Sequence, residues 1–217
     1  MKLIRPAIIA VLLIAFALTV ALYPTVPDRV VSHWNAAGQA DGYMTKLWGL
    51  LLIPLIMTAF VALLAILPRI DPYRKNYEKF GDYYEGFILI FVLFMLAIQV
   101  QIILWSSGYQ ISPNLTFPFL MGTLFIYIGF LLGHAEQNWF VGIRTPWTLS
   151  SETVWKKTHE VGGKLFKVAG IIAFAGVLAG EYAMWFIIIP VLAVAVYTIA
   201  YSYFEYQKEV KTPGERT

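Results

Sequence analysis

The chain has 217 residues, of which 59% are hydrophobic and 13% are charged, and its formal net charge is +3. In soluble domains about a quarter of the residues are charged. The charged residues of this chain are too few to form a surface that is exposed to water on all sides, so the composition excludes an ordinary soluble protein. The absence of cysteine excludes a disulfide framework, a thiol nucleophile and cysteine metal ligands.

Six apolar stretches are candidates to cross a bilayer, which takes a helix of about 20 residues. The first is longer than the apolar core of a signal peptide and more spans follow it, so we expect it to be retained. The sequence predicts an all-α polytopic integral membrane protein with a single membrane domain, residues 1–217. The bundle of six transmembrane helices covers residues 6–23, 47–67, 87–105, 115–133, 165–180 and 183–203.

Residues 24–46 form a polar loop between the first two predicted helices. Its prolines and glycines forbid a long helix, Asp41-Gly42 is a turn signal, and residues 30–34 are suited to a short strand. His33, Asn35 and Asp41 have side chains that could bind a cation or an external peptide, or could tie the loop together. We favour the second interpretation, because Asn and Asp beside glycine form turns.

Residues 69–86 form a second polar connector. Asp71 followed by proline predicts an N-cap with proline at the first helical position. The aromatic residues that follow share one helical face and charged residues occupy the other: Tyr73, Tyr77, Phe80 and Tyr84, against Arg74, Lys75, Glu78 and Asp82. This pattern predicts a helix lying along the membrane surface before it enters the bilayer.

Residues 134–164 form the longest polar connector. Asn138 can bind free backbone groups, Gly142 allows backbone conformations that other residues avoid, and Thr145 before proline sets an extended turn. The tryptophans suit the headgroup layer. Arg144 is expected to pair with Glu136, with Glu152 or with a lipid phosphate.

Four residues of this connector have the atoms that zinc binds, namely His134, Glu136, His159 and Glu160. Their spacing matches no known zinc signature, since the second histidine of H-E-x-x-H is missing. We therefore favour two histidines at headgroup level with neighbouring carboxylates, and predict neither a metal nor a cofactor.

Small residues dominate the predicted fifth helix. Gly176 and Gly180 have the G-x-x-x-G spacing that lets two helix backbones approach closely. The spacing predicts a packing face at the centre of the bundle, although a chance match in a glycine-rich stretch is an equal alternative.

The basic residues indicate the orientation. All of the 16 Lys and Arg residues except Arg29 and Lys46 fall on one side of the predicted bundle, counting Lys2 and Arg216 near the termini. Because cytoplasmic loops carry the excess of basic residues, we expect both termini and residues 69–86 and 134–164 in the cytoplasm. The loop of residues 24–46 is then extracytoplasmic.

The residues do not favour an enzyme, a transporter or a nucleic-acid-binding protein. No G-x-S-x-G motif is present. Apart from Lys167 at the cytoplasmic start of the fifth, the six apolar stretches hold no Asp, Glu, Lys, Arg or His, whereas ion-coupled carriers place such groups within the bilayer. The basic residues are scattered over short pieces beside an anionic membrane surface. A membrane-embedded enzyme or a small-solute permease stays as the alternative.

Three blocks of the sequence resemble the SdpI-like family of integral membrane immunity proteins. The signature block is Asn138…Gly142-Ile143-Arg144-Thr145-Pro146…Ser150…Trp155…Gly162-Gly163. The loop block contains Pro27, His33, Asn35, Gly38, Asp41, Gly42 and Lys46, and the connector block is Ile70-Asp71-Pro72…Asn76. His159 stands where relatives are expected to have asparagine.

The resemblance implies protection of the membrane against a secreted antimicrobial peptide toxin of the sporulation-delay type. For some members it also implies a signalling receptor that sequesters a cytoplasmic repressor protein at the membrane. The family has no accepted catalytic residues to transfer. We therefore expect recognition residues outside (His33, Asn35, Gly38, Asp41), in the inner signature (Asn138, Gly142, Arg144, Thr145, Trp155) and in the connector (Asp71, Asn76).

Overall fold

The computed structural model describes residues 3–211, so Lys2 and Arg216 of the charge count lie outside the described residues. Six helices are long and apolar enough to cross a membrane. They are α1 (Ile4–Leu22), α2 (Lys46–Ile70), α3 (Tyr77–Ser106), α4 (Pro113–His134), α6 (Glu152–Ala175) and α7 (Trp185–Lys211), with a short α5 (Pro146–Ser150) before α6. The predicted six-helix membrane fold is confirmed.

The six long helices pack as two groups of three. The helices α1, α2 and α3 surround one apolar core, in which Ala15, Leu50, Met57 and Val92 are fully buried. The helices α4, α6 and α7 surround a second core. Contacts between α3 and α4 join the two groups.

The two strands β1 (Arg29–Trp34) and β2 (Ala40–Thr45) form an antiparallel hairpin between α1 and α2. The strand expected at residues 30–34 is confirmed. The apolar residues Val30 and Val31 are buried against the helices, and the backbone N–H of Val31 donates to Ser106 Oγ at the end of α3, at 3.2 Å. The hairpin is therefore packed onto the end of the bundle.

The closest helix contact is a glycine seam between α4 and α6. A Cβ atom added at Gly129 would lie 2.6 Å from the carbonyl oxygen of Gly163, and one added at Gly122 would lie 2.9 Å from that of Gly170. The reciprocal positions on α6 are equally close, at 2.7 Å each. Glycine at these four positions lets the two backbones touch, as small residues do in membrane bundles.

Of the two glycines expected to form one packing face, Gly176 is closely packed and Gly180 is not, and they do not share a helix. The helix α6 ends at Ala175, Gly176 begins a 3-10 turn, and Gly180 begins another with a φ of +58°. The chain turns here into α7, and a positive φ is a conformation that glycine adopts without strain. Gly176 does pack closely, but against residues that lead into α7, since an added Cβ would lie 2.9 Å from Phe186 Cβ.

Two predicted helix starts are also wrong. The helix α6 begins at Glu152 rather than at residue 165, because the Ser151 hydroxyl accepts the Val154 N–H and caps it. The helix α3 begins at Tyr77, after a 3-10 turn at Arg74–Asn76. Tyr77, Phe80 and Tyr84 are buried within the protein, so this aromatic face packs inward and does not lie along the membrane surface.

Candidate functional site

Asn138 is the centre of a hydrogen-bonded cluster at the end of the bundle opposite the hairpin. Its side chain is fully buried. The Oδ1 atom accepts the backbone N–H groups of Phe140 and Val141 at 2.9 and 2.7 Å, and Nδ2 donates to the carbonyl oxygens of Glu136 and Val141, both at 2.9 Å. An amide side chain supplies two donors and two acceptor lone pairs on one group, which matches these four bonds.

Asp71 and Asn76 join the connector after α2 to the same cluster. Asp71 is 2% exposed; its Oδ1 accepts the Tyr73 N–H at 2.7 Å and its Oδ2 accepts the Trp139 N–H at 2.9 Å. Asn76 Nδ2 donates to the carbonyl oxygen of Gln137 at 2.7 Å. The structure thus brings together two blocks that are far apart in the sequence.

Trp155 and His159 form the floor of the cluster on α6. Trp155 Nε1 donates to the Ala135 carbonyl oxygen at 2.7 Å, and its ring stacks on His159 with 3.9 Å between centroids. His159 Nε2 accepts the Ile143 N–H at 2.9 Å, so the proton of the neutral imidazole belongs on Nδ1, which lies 2.9 Å from the Trp155 carbonyl oxygen. Gly142 has a φ of +121° and lies against His159 Nε2, where no Cβ would fit.

Thr145 ties the cluster to α7. Its hydroxyl and that of Thr148 each accept the other's backbone N–H, at 3.2 and 2.9 Å, which forms a capping box around α5. The Thr145 hydroxyl also lies 3.0 Å from Ser202 Oγ of α7. Thr145 therefore joins the start of α5 to the middle of α7.

Arg144 is exposed, and its hydrogen-bond partner is not one of the carboxylates that the sequence suggested. Its Nη1 donates to the Trp139 carbonyl oxygen at 2.8 Å. No carboxylate pairs with it among residues 3–211, and Glu152 instead pairs with Lys156 at 3.0 Å, so the expected carboxylate partners are wrong.

The four zinc-type side chains have separate partners. The His134 ring stacks on Tyr83 with 3.7 Å between centroids, and Glu160 pairs with Lys164 at 2.7 Å. Within the described part of the chain, no three His, Asp or Glu side chains come together as a metal site.

Most of the hairpin residues that were expected to recognise a ligand instead make contacts within the turn of the hairpin. Asn35 Oδ1 accepts the Gln39 N–H at 3.0 Å, and Gly38, with a φ of +78°, donates its N–H to the Asn35 carbonyl oxygen at 2.9 Å. His33 Nδ1 lies 2.5 Å from Asp41 Oδ1, and both side chains are well exposed. These contacts favour the loop-forming interpretation, and a ligand at these residues stays a prediction.

Comparison with known proteins gives matches in two regions of the chain, one that includes the hairpin and one that includes Asn138. The family model described as the SdpI/YfhL protein family matches residues 134–202, and a domain of unknown function (DUF1648) matches residues 10–58. The immunity protein SdpI of Bacillus subtilis (strain 168) is 29% identical over 201 residues, which are 92% of this chain and 94% of that protein. Over these regions the chain is similar to the SdpI-like family of proteins.

The two matched regions correspond to structural units. Residues 134–202 contain the Asn138 cluster apart from its connector residues Asp71 and Asn76, together with α5, α6 and most of α7, and residues 10–58 contain most of α1, the hairpin and the first half of α2. No solved structure matches the chain. The family resemblance read from the signature and loop blocks is confirmed.

The sequence did not indicate several residues of the Asn138 cluster. Tyr77 was assigned to a surface stripe, yet its hydroxyl lies 3.1 Å from Asp71 Oδ2 and 3.2 Å from Asn138 Oδ1. Thr148 stands three residues after Thr145, the spacing of a capping box, so that signal was available. Ser202 gave no local signal, because its partner Thr145 is distant in the sequence.

Proposed function

We propose that this protein is an integral membrane immunity protein that protects the cell against a secreted antimicrobial peptide toxin. The observation that carries the proposal is the similarity to the immunity protein SdpI of Bacillus subtilis, which extends over 92% of this chain and 94% of the relative. A match of this extent includes all six long helices and both polar ends. It is therefore a similarity of whole proteins and not of one shared segment.

The chemistry of the signature block supports binding or scaffolding over catalysis. Asn138, Thr148 and His159 have their polar side-chain atoms bound to other groups of the chain. A general base or nucleophile has to reach a substrate, and these side chains are occupied and buried. A membrane enzyme remains the alternative, and its discriminating test is turnover by the purified protein.

The proposed orientation has the hairpin outside the cell and the Asn138 cluster at the cytoplasmic face. The distribution of basic residues supports it. The described helices agree with this arrangement in one respect: the hairpin and the cluster lie at opposite ends of α2, α3 and α4.

The cytoplasmic repressor stays a prediction that rests on the family resemblance. The surface around the cluster supports it, because it combines aromatic and basic side chains of the kind enriched at protein interfaces. The exposed residues there are Tyr73, Arg74, Lys75, Trp139 and Arg144.

Expression in a toxin-sensitive host tests the immunity proposal. Cells producing the protein should survive purified sporulation-delay toxin peptide at concentrations that kill cells carrying the empty vector. An epitope tag verifies that the protein has reached the membrane. Equal killing of the two strains, with the protein present in the membrane, would contradict the proposal.

A further inference from the structure

A cavity of about 460 Å³ lies beneath the hairpin, between α2, α3, α4 and the start of α7. Its volume falls in the range of ligand-binding pockets, roughly 300–1,000 Å³. The lining is mostly apolar, with Val31, Ile53, Ile102, Phe117 and Ile188 among its residues. This cavity is separate from the Asn138 cluster, and two hairpin residues expected to recognise a ligand, His33 and Asn35, are part of its lining.

The hairpin forms a fixed roof over the cavity. Gly49 of α2 lies directly against Val30 of β1, where no Cβ would fit, and the Val31 N–H is bound to Ser106. At the hairpin tip, a Cβ added to Gly38 would lie 3.1 Å from the side chain of Asn114. The roof is thus attached to α2, α3 and α4, so the cavity is a built feature of the fold.

Two polar groups in the cavity wall lack partners. Asn114, at the start of α4, is 7% exposed, and its side-chain amide makes no hydrogen bond among residues 3–211. Trp34 Nε1 is buried and also has no hydrogen-bond partner in the described structure. Both residues line the cavity. Trp34 Nε1 is closed off from the cavity, whereas the Asn114 amide is accessible in its wall. An unpaired, largely buried polar group costs up to about 1–3 kcal/mol, so Asn114 points to a ligand that completes it.

The residues that line the cavity indicate which kind of ligand it can bind. The Asn114 amide offers both a donor and an acceptor. A peptide group has the complementary acceptor and donor, and an adjoining aliphatic or aromatic side chain would fill the apolar space. A lipid acyl chain would fill the same space but would leave the Asn114 amide unpaired.

We propose that this cavity binds the peptide toxin, with one apolar side chain of the peptide inside and a neighbouring peptide group hydrogen-bonded to the side-chain amide of Asn114. This inference rests on the proposed function and names the site that the function requires on the outer side. It gives the hairpin a role as the roof of a binding pocket, beyond that of its exposed residues.

A matched pair of substitutions on α7 tests the proposal in cells. Ile188 lines the cavity, whereas the next residue, Ile189, is 60% exposed on the outside of the bundle and is not part of the lining. The Ile188→Trp variant should fill the cavity and lose protection against the toxin, and Ile189→Trp should keep it. Equal protection by both variants at equal membrane levels would overturn the proposal.

Asn114→Leu provides a second variant, which removes the amide without adding bulk. Because the amide has no partner in the protein, the thermal stability should stay the same or rise. Affinity for the toxin should fall about tenfold, the equivalent of one lost hydrogen bond to a buried group. Unchanged toxin affinity in this variant would contradict the proposed contact.

Direct binding separates this inference from the immunity proposal. The chain has no cysteine, so Ile188→Cys can be labelled alone with a methanethiosulfonate reagent in purified protein. Tyr109→Cys is the control at the same end, since Tyr109 is 68% exposed and does not line the cavity. Purified sporulation-delay toxin peptide should slow labelling at position 188 about tenfold and leave position 109 unchanged, and a scrambled peptide should do neither.

The results distinguish the two proposals. Shielding of position 188 supports the site even if the wild-type protein fails to protect cells, in which case only the immunity proposal falls. Protection without shielding overturns the site and leaves the immunity proposal in place. A thiol that is already blocked before the toxin is added indicates a lipid acyl chain in the cavity and also overturns the site.

Discussion

At the scale of single residues, Asn138 should be the most sensitive position of the signature block. The Asn138→Asp substitution keeps the acceptor but removes the Nδ2 donor, so it leaves two carbonyl oxygens unpaired beside a buried carboxylate. We expect a loss of about 3 kcal/mol or more in the free energy of unfolding. Thermal unfolding of the purified protein in detergent measures it.

The matched control is the same chemical change in the hairpin. Asn35 Oδ1 accepts two backbone N–H groups, at Ala37 and Gln39, and the contact is exposed. A carboxylate accepts these bonds equally well, so Asn35→Asp should leave the unfolding temperature nearly unchanged. Similar losses in both variants would mean that the buried amide of Asn138 has no special role.

Arg144 should behave differently from its neighbours in the cluster. Its guanidinium is exposed and makes one hydrogen bond to a backbone carbonyl, so Arg144→Ala should cost less than about 1 kcal/mol of stability, as exposed charged contacts usually do. Activity is therefore the informative readout. If Arg144 recognises a cytoplasmic partner, the variant should fold normally and lose that interaction, whereas an unfolded variant would contradict the exposed geometry.

At the scale of helices, the close contact of α4 and α6 predicts that alanine substitutions at two glycines, Gly163 and Gly133, have different effects on stability. A Cβ at Gly163 would meet the carbonyl oxygen of Gly129 at 2.7 Å, which forces the two backbones apart. Gly163→Ala should therefore destabilise the protein by about 1–3 kcal/mol, the usual cost of overpacking. The unfolding temperature in detergent provides the measurement.

Gly133→Ala is the control on the partner helix. No described atom lies within 4 Å of a Cβ built at Gly133. Alanine favours the helix over glycine by up to about 1 kcal/mol, so this variant should be neutral or slightly more stable. Destabilisation of the same size at both positions would show that helix propensity, and not the close approach of α4 and α6, determines the effect.

The sequence predicted the helices better than their contacts. Hydropathy located all six spans, because crossing a bilayer imposes a minimum apolar length. It placed the start of the fifth span too late, since residues 152–164 contain charged side chains on the exposed face of α6 while Trp155, Thr158 and His159 are buried. The G-x-x-x-G pattern at Gly176 and Gly180 misled, because a short spacing motif cannot indicate where a helix ends.

The candidate site was recovered in part. The residue types of Asn138 and Thr145 indicated turn roles, which depend on neighbours in the chain. The helix N-cap expected at Asp71 is wrong, because Asp71 ends α2 and its carboxylate accepts the N–H groups of Tyr73 and Trp139. Their joint cluster was not predictable, because it depends on contacts such as that of Asn76 with Gln137, 61 residues apart. Of the outer cavity, the sequence indicated only the hairpin residues His33 and Asn35, since the rest of the wall comes from four helices that are distant in the sequence.

At the scale of the whole molecule, the proposed binding cavity and the Asn138 cluster have to lie on opposite sides of the membrane. Their locations at opposite ends of α2, α3 and α4 require this if these helices span the bilayer. A toxin bound outside could then influence the inner surface only through the helices between them. Such coupling needs two discrete arrangements of the helices with different affinities for the toxin.

The orientation itself is open to a direct labelling experiment. Tyr43 in the hairpin is 52% exposed and Trp139 beside the cluster is 48% exposed, and the chain has no cysteine to interfere. A membrane-impermeant maleimide should label Tyr43→Cys in intact cells and Trp139→Cys only after permeabilisation, because basic residues accumulate on the cytoplasmic side. The reverse labelling pattern would show that the protein has the opposite orientation, with the proposed toxin cavity on the cytoplasmic side. Labelling of both positions in intact cells would contradict the six-span fold.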